Sequence, residues 1–473
     1  MSAVFRHFSS CCIRSWLRDV PFGTIWGLVW PQMMMLLCSI IVNLTDIWAA
    51  GRLSSDVQAA VGLSFQLQVF LMVFGWALGA GGMAAVSQSM GAGHFRRAQN
   101  YVGLVLCSCV AVAVVLALMT GLFRHGVLTI LQTPPSLLAP TDFMVKVMLA
   151  GLPFFYVMQV GGTLFRAARQ VIAPLIVAVA ACLLNVFGDL CFGLGWLGFP
   201  SFGMAGIAWA TFSANALAAV LTLFFLRRGG LVMRHALPPL RWLKIGAPYL
   251  FRVALPACGN SLLWQTGYLV MFGITASLPD GVAALAGLTA GNRIESLLYM
   301  PANAFMVTAS ILVGNALGAG DKAGAKRIGI VLFVIAGVAM SSVAACMWPF
   351  IPDLAAWFSS EASVRVQIVN YLFFNVLVVP FTVCGIVLHG VMNGAGATVY
   401  PLIVNTASIW LVRLPFGWGL SRLVFHDAYG VYMAMFLSMA IQTSALAWVF
   451  FCKDWTRFSL SAHLSQSKHK EKA

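Results

Sequence analysis

The chain has 473 residues, of which 61% are hydrophobic and only 9% charged, and it carries a net charge of +15. A soluble protein of this length has too little interior to hide that much apolar surface. Apolar runs long enough to cross a bilayer recur along the whole sequence, so the composition excludes a soluble enzyme and predicts a polytopic membrane protein. The basic residues cluster between these runs, so the positive charge is no evidence for a nucleic-acid partner.

The apolar runs and the Gly, Pro, Asn and Asp residues between them predict an all-α fold with twelve transmembrane helices. The first run is too long for the core of a signal peptide, so we interpret it as a retained span. No extramembrane stretch is long enough for a separate domain. The predicted spans, numbered 1 to 12 in chain order, are approximately 22–50, 57–88, 98–122, 142–165, 171–196, 202–226, 247–278, 282–316, 325–350, 362–392, 398–424 and 429–452.

Lysine and arginine predict the orientation of these spans. Of the 28 basic residues, 21 lie at the termini, in the loops that follow even-numbered spans, or at the adjoining ends of spans 7 and 9. The positive-inside rule therefore predicts that both termini face the cytoplasm. We expect the membrane to be the inner (plasma) membrane of a bacterium. The eleven cysteines show neither a CxxC pair nor a His/Cys ligand spacing, so we predict no disulfide framework and no metal site.

The chain also repeats itself. Residues 86–93 (VSQSMGAG) match residues 313–320 (VGNALGAG), and residues 173–177 (APLIV) match residues 400–404 (YPLIV), both at an offset of 227 residues. Six spans per half is an even number, so both halves enter the membrane from the same side. We therefore predict two pseudo-symmetric six-helix bundles, 1–226 and 247–452, joined by a basic cytoplasmic linker at 227–246 and followed by a basic tail at 453–473.

Only three acidic residues lie well inside spans: Asp46, Asp189 and Glu295. An ionisable side chain within a span is costly and usually faces a cavity or another polar group. Asp46 follows Pro31 by fifteen residues and Asp189 follows Pro174 by fifteen, so both carboxylates should lie at similar depth. Two carboxylates in one dry pocket do not both ionise readily, and such a pair binds and releases a proton.

Several uncharged residues extend this predicted site. Asn185 precedes Asp189 by four positions, which places both on one face of span 5. Asn43 lies near Asp46 in span 1, and Thr211 of span 6 supplies a further hydroxyl group. The structural alternative for Asp189 is a carboxylate that caps a helix end.

Other polar and aromatic residues within spans have weaker signals. Glu295 lies beside Arg293, so it belongs either to a cavity or to a buried ion pair. Arg413 of span 11 either fixes the packing between helices or contacts substrate. The aromatic residues that could line a cavity for amphiphiles are Trp264, Tyr268, Phe272, Tyr299 and Phe305.

The sequence resembles the multidrug and toxic compound extrusion (MATE) transporters over residues 20–452. The resemblance rests on two six-span halves, Gly-rich turns after spans 2 and 8, the basic central loop, residues 185–189 (NVFGD), the region of Pro301, and residues 394–398 (GAGAT). It implies a V-shaped pair of bundles that exports organic cations or other amphiphiles in exchange for protons or sodium.

The motif pattern is most similar to that of the DinF-like branch. This branch implies an Asp in span 1 with an Asn and an Asp in span 5, which correspond to Asp46, Asn185 and Asp189. The sodium-linked branch and the eukaryotic members use an acidic residue in span 7. Here span 7 has none, and Gln265 is its nearest polar substitute; span 10 also lacks an acid. The N-terminal site is therefore favoured.

We expect a secondary antiporter that exports small amphiphilic or cationic compounds in exchange for protons by alternating access. Sodium coupling is the near alternative, because carboxylate, Asn and Thr oxygens also suit a hard cation. A lipid-linked precursor flippase would carry more cavity cations than Arg293 and Arg413. A channel is disfavoured by the duplicated halves, and an enzyme by the lack of a catalytic constellation. We expect a monomer in membrane lipid, with a small-molecule substrate and no cofactor besides the coupling ion.

Overall fold

The computed structural model describes residues 22–130, 133–232, 240–359 and 361–470, and the described residues form helices and short connections without a strand. Each predicted span corresponds to one long helix or to a run of consecutive helices. The parts of the predicted linker at 233–239 and of the termini at 1–21 and 471–473 lie outside the described residues.

The first six spans are helices of 17 to 37 residues. They are Phe22–Leu53, Ser55–Gly91, Phe95–Leu122, Leu138–Ala167, Ile172–Gly188 and Met204–Arg228. Short helical segments lie between them at Arg124–Ile130, Pro135–Leu137 and Trp196–Gly198.

The remaining six spans begin at Leu240. Span 7 is Leu240–Ala276, span 8 consists of Gly281–Leu298 and Met300–Gly318, and span 9 is Lys322–Met347. Span 10 is Ala362–Ala395, span 11 runs from Val399 to Val424, and span 12 is Tyr429–Cys452. The connecting and terminal segments are Trp348–Phe350, Ile351–Phe358, Trp455–Phe458 and Leu460–Lys470.

Eleven of the described helices are long and apolar enough to cross a membrane. The helix Leu240–Ala276, which corresponds to span 7, is 37 residues long but is not one of the eleven. Its polar residues Asn260, Ser261, Gln265 and Thr266 lower its hydropathy. These helices confirm the predicted all-α, multi-pass membrane class.

The chain forms two compact units. One consists of Trp30–Ala254, and the other of Leu255 onward together with the start of the first helix, up to Val29. The boundary between the units falls within the helix Leu240–Ala276, eight residues after the predicted start of the second bundle at residue 247.

The repeated sequence forms the same turn in both units. Gly93 and Gly320, which are 227 residues apart, both have left-handed backbone conformations, with φ of 71° and 83°. The backbone N–H of His94 donates to Ser89, and that of Asp321 donates to Ala316 at the equivalent position. The duplication predicted from sequence is therefore present at the level of individual backbone hydrogen bonds.

Spans 5 and 11 depart from regular α-helix where the candidate residues lie. Span 5 continues beyond Gly188 as a π-helical segment, Asp189–Gly193. Span 11 contains two such segments, Ser408–Arg413 and Leu420–Val424. π-Helical turns inside α-helices are rare and occur frequently at functional sites. Asp189 begins one of these segments and Arg413 ends another.

Candidate functional site

The structure brings Asp46 and Asp189 together within the N-terminal unit. The Asp46 carboxyl group of span 1 lies within hydrogen-bonding reach of the Asp189 carboxyl and the Asn185 side chain of span 5. Asp189 and Asn185 are buried, with exposures of 0% and 1%, and Asp46 is half-buried. The proline spacing predicted that the two carboxyl groups lie at similar depth, and the structure places them side by side. We call Asp46, Asn185, Asp189 and Thr211 the Asp46/Asp189 cluster.

Oxygen atoms dominate this cluster. Both carboxylate oxygens of Asp189, Oδ1 of Asp46 and Oδ1 of Asn185 are buried and receive no hydrogen bond from the described residues. The Asn185 amide instead donates to Thr211 Oγ1 at 3.1 Å, and the Thr211 hydroxyl donates to the Ile207 carbonyl at 3.2 Å. Buried acceptors without donors are costly. A proton or a small cation bound here would supply the interaction that these oxygens lack.

Small residues allow span 6 to approach the cluster closely. A methyl group at Gly188 would lie 2.5 Å from the Ala210 Cβ atom, and one at Gly206 would overlap the Phe192 backbone. Both glycines therefore permit spans 5 and 6 to pack at backbone distance around the π-helical segment. This close packing brings Thr211 beside Asn185.

Asp189 does not act as a helix cap. Its backbone carbonyl accepts a hydrogen bond from the Leu194 N–H at 3.0 Å, but its carboxylate oxygens accept none among the described residues. Asn43, the other amide predicted near the site, is half-buried and donates to the Ser39 carbonyl of its own helix at 2.7 Å. Asn43 therefore contributes mainly to span 1 itself.

A second polar cluster surrounds Glu295 in the C-terminal unit. The Tyr371 hydroxyl of span 10 contacts Glu295 Oε2 and lies 3.1 Å from Asn292 Oδ1. Asn375, one turn after Tyr371, reaches Glu295 with its side chain and accepts a hydrogen bond from the Tyr299 hydroxyl at 3.3 Å. We call Asn292, Glu295, Tyr371 and Asn375 the Glu295 cluster.

The expected alternative for Glu295, an ion pair with Arg293, is not formed. None of the ion pairs among the described residues includes Glu295, and Arg293 is exposed. The two side chains are two positions apart on one helix and point to different sides of it. Arg413, not Arg293, is the cation whose field reaches Glu295.

Arg413 is 2% exposed and is held from several sides. Its Nε donates to Ser438 Oγ at 2.8 Å, and its guanidinium lies 5.3 Å from the Trp264 ring and 5.9 Å from the Tyr268 ring. These contacts join spans 7, 11 and 12. Gln265 follows Trp264 in span 7 and was predicted to substitute for an acid there. Its side chain is half-buried and does not line the cavity beside Glu295.

A small cavity adjoins the Glu295 cluster. The residues that line this cavity are Tyr268, Glu295, Tyr371, Phe374, Asn375, Val378, Thr382, Tyr432, Met435, Phe436 and Met439. Of the five aromatic residues predicted to line a cavity, Tyr268 is therefore at the cavity wall, whereas Trp264 stacks on Arg413 and Tyr299 donates a hydrogen bond to Asn375.

Sequence reasoning missed Asn292, Tyr371 and Asn375. A signal was available, because Tyr371 and Asn375 are four positions apart in an apolar span and so share a face, as do Asn292 and Glu295. The contact between the two faces was not predictable from that spacing.

The MatE family model matches the chain twice, over residues 31–190 and 256–418. The two matches fall in the two halves that the internal repeat defines. The chain belongs to the MATE family of membrane transporters. This is a family of transporters and not of enzymes, which agrees with the expectation from sequence.

Relatives of known name and structure agree with this assignment. The chain is 25% identical to a probable multidrug resistance protein NorM of Thermotoga maritima, over 90% of this chain and 91% of the relative. It is 22% identical to an FAD transporter of Shewanella oneidensis, covering 85% and 89% of the two chains.

Among solved structures, a Vibrio cholerae MATE transporter superposes with a TM-score of 0.84 at 19% identity, over 93% of this chain and 97% of that one. The fold of this MATE protein is therefore that of the family, with twelve helices in two six-helix bundles. The family also establishes an integral membrane setting and small-molecule substrates.

Proposed function

We propose that this MATE protein exports small amphiphilic or cationic compounds in exchange for protons, by alternating access. The observation that carries the proposal is the Asp46/Asp189 cluster, in which two carboxyl groups face each other and buried oxygens receive no hydrogen bond from the described part of the chain. A single proton placed on either carboxyl converts an acceptor into a donor toward the other. The cluster is thus suited to hold one proton and to lose it when solvent reaches the site.

The cluster can also report its protonation to the helices. Asp46 belongs to span 1, which contains Pro31 inside the helix, whereas Asn185 and Asp189 belong to span 5 and its π-helical end. Without the proton, two like charges press spans 1 and 5 apart; with it, a hydrogen bond joins them. A proton that binds one conformation more tightly than another shifts the balance between them.

The driving force suffices for export. One pH unit contributes about 1.4 kcal/mol, and one charge crossing 100 mV contributes about 2.3 kcal/mol. Together these support a concentration ratio of several hundredfold for a neutral solute. The sequence contains no GxxxxGK[ST] phosphate-binding loop, in keeping with a gradient as the energy source.

The test uses purified full-length protein in proteoliposomes that take up a fluorescent organic cation. Wild-type protein is expected to accumulate the dye when a pH gradient is imposed, and the Asp189→Asn variant to fall to the rate of empty liposomes. Asp56→Asn is the matched control, because Asp56 is an exposed acid at the start of span 2. Wild-type transport by Asp189→Asn would overturn the assignment of the site.

Sodium coupling is the second candidate, because Asp46, Asp189, Asn185 and Thr211 together offer the oxygen ligands of a hard cation. The same liposomes distinguish the two ions. Transport driven by a sodium gradient at equal pH on both sides would favour sodium, and transport driven only by a pH gradient favours the proton.

A lipid-linked precursor flippase is less well supported. The two cations that would bind a phosphorylated lipid are Arg293, which is exposed on its helix, and Arg413, which is packed against Trp264 and Ser438. We further propose a monomer in the inner membrane of a bacterium, with both termini cytoplasmic. Reporter fusions at the C-terminus that are active only in the cytoplasm or only in the periplasm test that orientation.

A further inference from the structure

Basic side chains converge where span 9 begins and span 12 ends. Lys322 and Lys326 lie in the first two turns of span 9, and Lys453 and Arg457 follow the end of span 12. The Lys326 ammonium group donates to the Phe451 carbonyl at 3.4 Å, so the two helix ends are in contact. We call Lys322, Lys326, Lys453 and Arg457 the basic cluster.

The backbone that carries Lys453 and Arg457 is held in place by packing. Trp455, which lies between them in the chain, is 2% exposed. Its ring stacks on that of Phe450 at 5.5 Å, and its Nε1 donates to the Phe450 carbonyl at 3.0 Å. Arg457 also donates to the Tyr400 hydroxyl, at the start of span 11, at 3.2 Å. Both cations therefore lie on a fixed turn, which lowers the entropy cost of binding a ligand there.

Two carboxylates accompany the basic cluster, and each of them caps a helix. Asp321 accepts a hydrogen bond from the Gly324 N–H at 2.7 Å, at the start of span 9. Asp454 accepts hydrogen bonds from the N–H and the hydroxyl of Thr456, at 3.1 and 2.6 Å. None of the ion pairs among the described residues includes a member of the basic cluster. Four cations and two carboxylates leave an excess of two positive charges in this group of side chains.

An exposed apolar surface of span 12 adjoins the basic cluster. The Lys453 ammonium group lies 4.9 Å from the centre of the Trp448 ring, and Trp448 is 55% exposed. Ile441, two turns earlier on the same face, is 42% exposed. An exposed tryptophan near the end of a transmembrane helix lies at the level of the lipid headgroups. Lys453 is therefore at the depth of the lipid phosphates, and the surface that bears Trp448 and Ile441 faces the acyl chains.

We propose that the basic cluster binds an anionic phospholipid, with the phosphate held by its cations and the acyl chains lying along Trp448 and Ile441. A basic pocket at the membrane surface selects a headgroup with net negative charge. The lipid-facing tryptophan beside it selects a lipid over a soluble phosphate. The bound lipid joins the start of span 9 to the end of span 12 and so stabilises this end of the C-terminal unit. The proposal does not depend on the coupling ion or on the Asp46/Asp189 cluster.

The test measures lipid binding directly. Purified full-length protein is delipidated in a neutral detergent and titrated with phosphatidylglycerol, and native mass spectrometry counts the bound lipid. The triple variant Lys322→Gln, Lys453→Gln, Arg457→Gln is expected to raise the Kd of the first bound phosphatidylglycerol about tenfold or more, because the three exposed charges of the site are lost. Failure of the wild type to bind phosphatidylglycerol would overturn the proposal.

A second triple variant controls for the loss of charge alone. Arg96, Arg227 and Arg228 are exposed basic residues at the corresponding helix ends of the other unit, 227 residues from the start of span 9 and the end of span 12. Their joint replacement by glutamine removes the same charge and is expected to leave the Kd unchanged. Equal rises of the Kd in the two triple variants would show general attraction to a basic protein and overturn the assignment of the site.

Competing molecules distinguish a lipid from a soluble anion. Glycerol 3-phosphate offers a phosphate without acyl chains and is expected not to displace phosphatidylglycerol. Displacement at equal concentration would assign the basic cluster to soluble anions. Phosphatidylcholine has acyl chains but no net charge and is expected to bind more weakly, and equal binding of the two lipids would contradict recognition by charge.

The apolar part of the site has its own variant. Trp448→Ala is expected to raise the Kd for phosphatidylglycerol, because it removes the aromatic surface beside Lys453. Trp357→Ala is the matched control, since Trp357 is 84% exposed on the connecting segment Ile351–Phe358, outside the basic cluster. A wild-type Kd in Trp448→Ala would contradict the placement of the lipid along span 12.

Unfolding temperatures give a second measurement that does not require the triple variant to fold well. A ligand that binds only the folded protein raises its unfolding temperature. Phosphatidylglycerol is expected to raise that of the wild type and of the Arg96, Arg227, Arg228 variant, and to raise those of the single variants Lys322→Gln and Arg457→Gln by less. Wild-type responses in both single variants would overturn the proposal.

Discussion

The Asp46/Asp189 cluster and the Glu295 cluster both hold carboxyl groups within spans, yet the groups that surround these carboxyls differ. In the N-terminal unit two carboxyls face one another and their buried oxygens receive no donor from the described residues. In the C-terminal unit one carboxyl is surrounded by phenols and amides, with Arg413 nearby as a fixed cation. The first arrangement leaves buried acceptors for which we propose an ion from solution, whereas the second supplies phenol and amide partners from the protein itself.

The two clusters differ although the two units are related by an internal repeat. Val412 and Phe416 occupy the positions in span 11 that correspond to Asn185 and Asp189 in span 5. The turn that precedes each of these spans nevertheless repeats, because the N–H groups of Arg169 and Gly396 donate to the equivalent carbonyls of Arg166 and Asn393. Duplication thus preserved the parts that shape the helices, while the polar residues inside the spans diverged. Failure at the Asp46/Asp189 cluster should therefore be the more severe.

The largest effect is expected from the two acids of the first cluster. Asp46→Asn and Asp189→Asn should each reduce gradient-driven export at least tenfold, about 1.4 kcal/mol or more. The double variant should be no less active than the less active of the two single variants, because the two residues hold one proton together. Initial transport rates of the wild type, the two single variants and the double variant in proteoliposomes test this. Independent, multiplying losses would show that the two carboxyls do not act as a pair.

An intermediate effect is expected from glycines that support each cluster. A methyl group at Gly188 would collide with Ala210, and one at Gly291 would enter the Tyr371 ring. Overpacking of this kind costs about 1–3 kcal/mol, so both Gly→Ala variants should unfold at lower temperature in detergent. Gly62→Ala and Gly273→Ala are matched controls, because nothing lies within 4 Å of their added methyl groups.

Control variants as unstable as the test variants would contradict the packing described for the two clusters.

The smallest effect is expected at a turn where the two units differ. Arg169 has a left-handed backbone with φ of 62°, whereas the equivalent position in the other unit is Gly396, with φ of 76°. A side chain there costs about 1–2 kcal/mol, of which the entropy of glycine in the unfolded chain cancels about 0.5–1 kcal/mol. Arg169→Gly should therefore stabilise the protein by up to about 1 kcal/mol, measured as a rise in unfolding temperature. The exchange Gly396→Arg should do the opposite, and a stabilising Gly396→Arg would contradict the reasoning.

Much of the first site was predictable from sequence. The spacing of Asp46 from Pro31 and of Asp189 from Pro174 sets the depth of each carboxyl, because helices entering from the same side rise equally per residue. Asn185 and Asp189 share a face for the same geometric reason. The structure places these residues side by side, together with Thr211. The role of the cluster in coupling stays a prediction for the transport assays.

The Glu295 cluster was not predictable in this way. The sequence suggested Arg293 as the ion-pair neighbour of Glu295, because the two are close in the chain. The actual contact, Tyr371, is 76 residues away, and its position depends on how spans 8 and 10 are rotated against each other. Each residue turns a helix by about 100°, and spans that are apolar on all sides give no pattern from which that rotation can be read.

Sequence by itself thus determined the membrane class, the number and order of spans and the duplication, and it predicted the depth of the acidic residues. These depend on hydropathy, on backbone turn chemistry and on the rise per residue of a helix, which are local properties. Only the tertiary structure decided that Glu295 meets Tyr371 and Asn375 while Arg413 packs on Trp264. Such contacts depend on helix rotation and on side-chain packing between distant spans, and a pattern along one chain does not encode them locally.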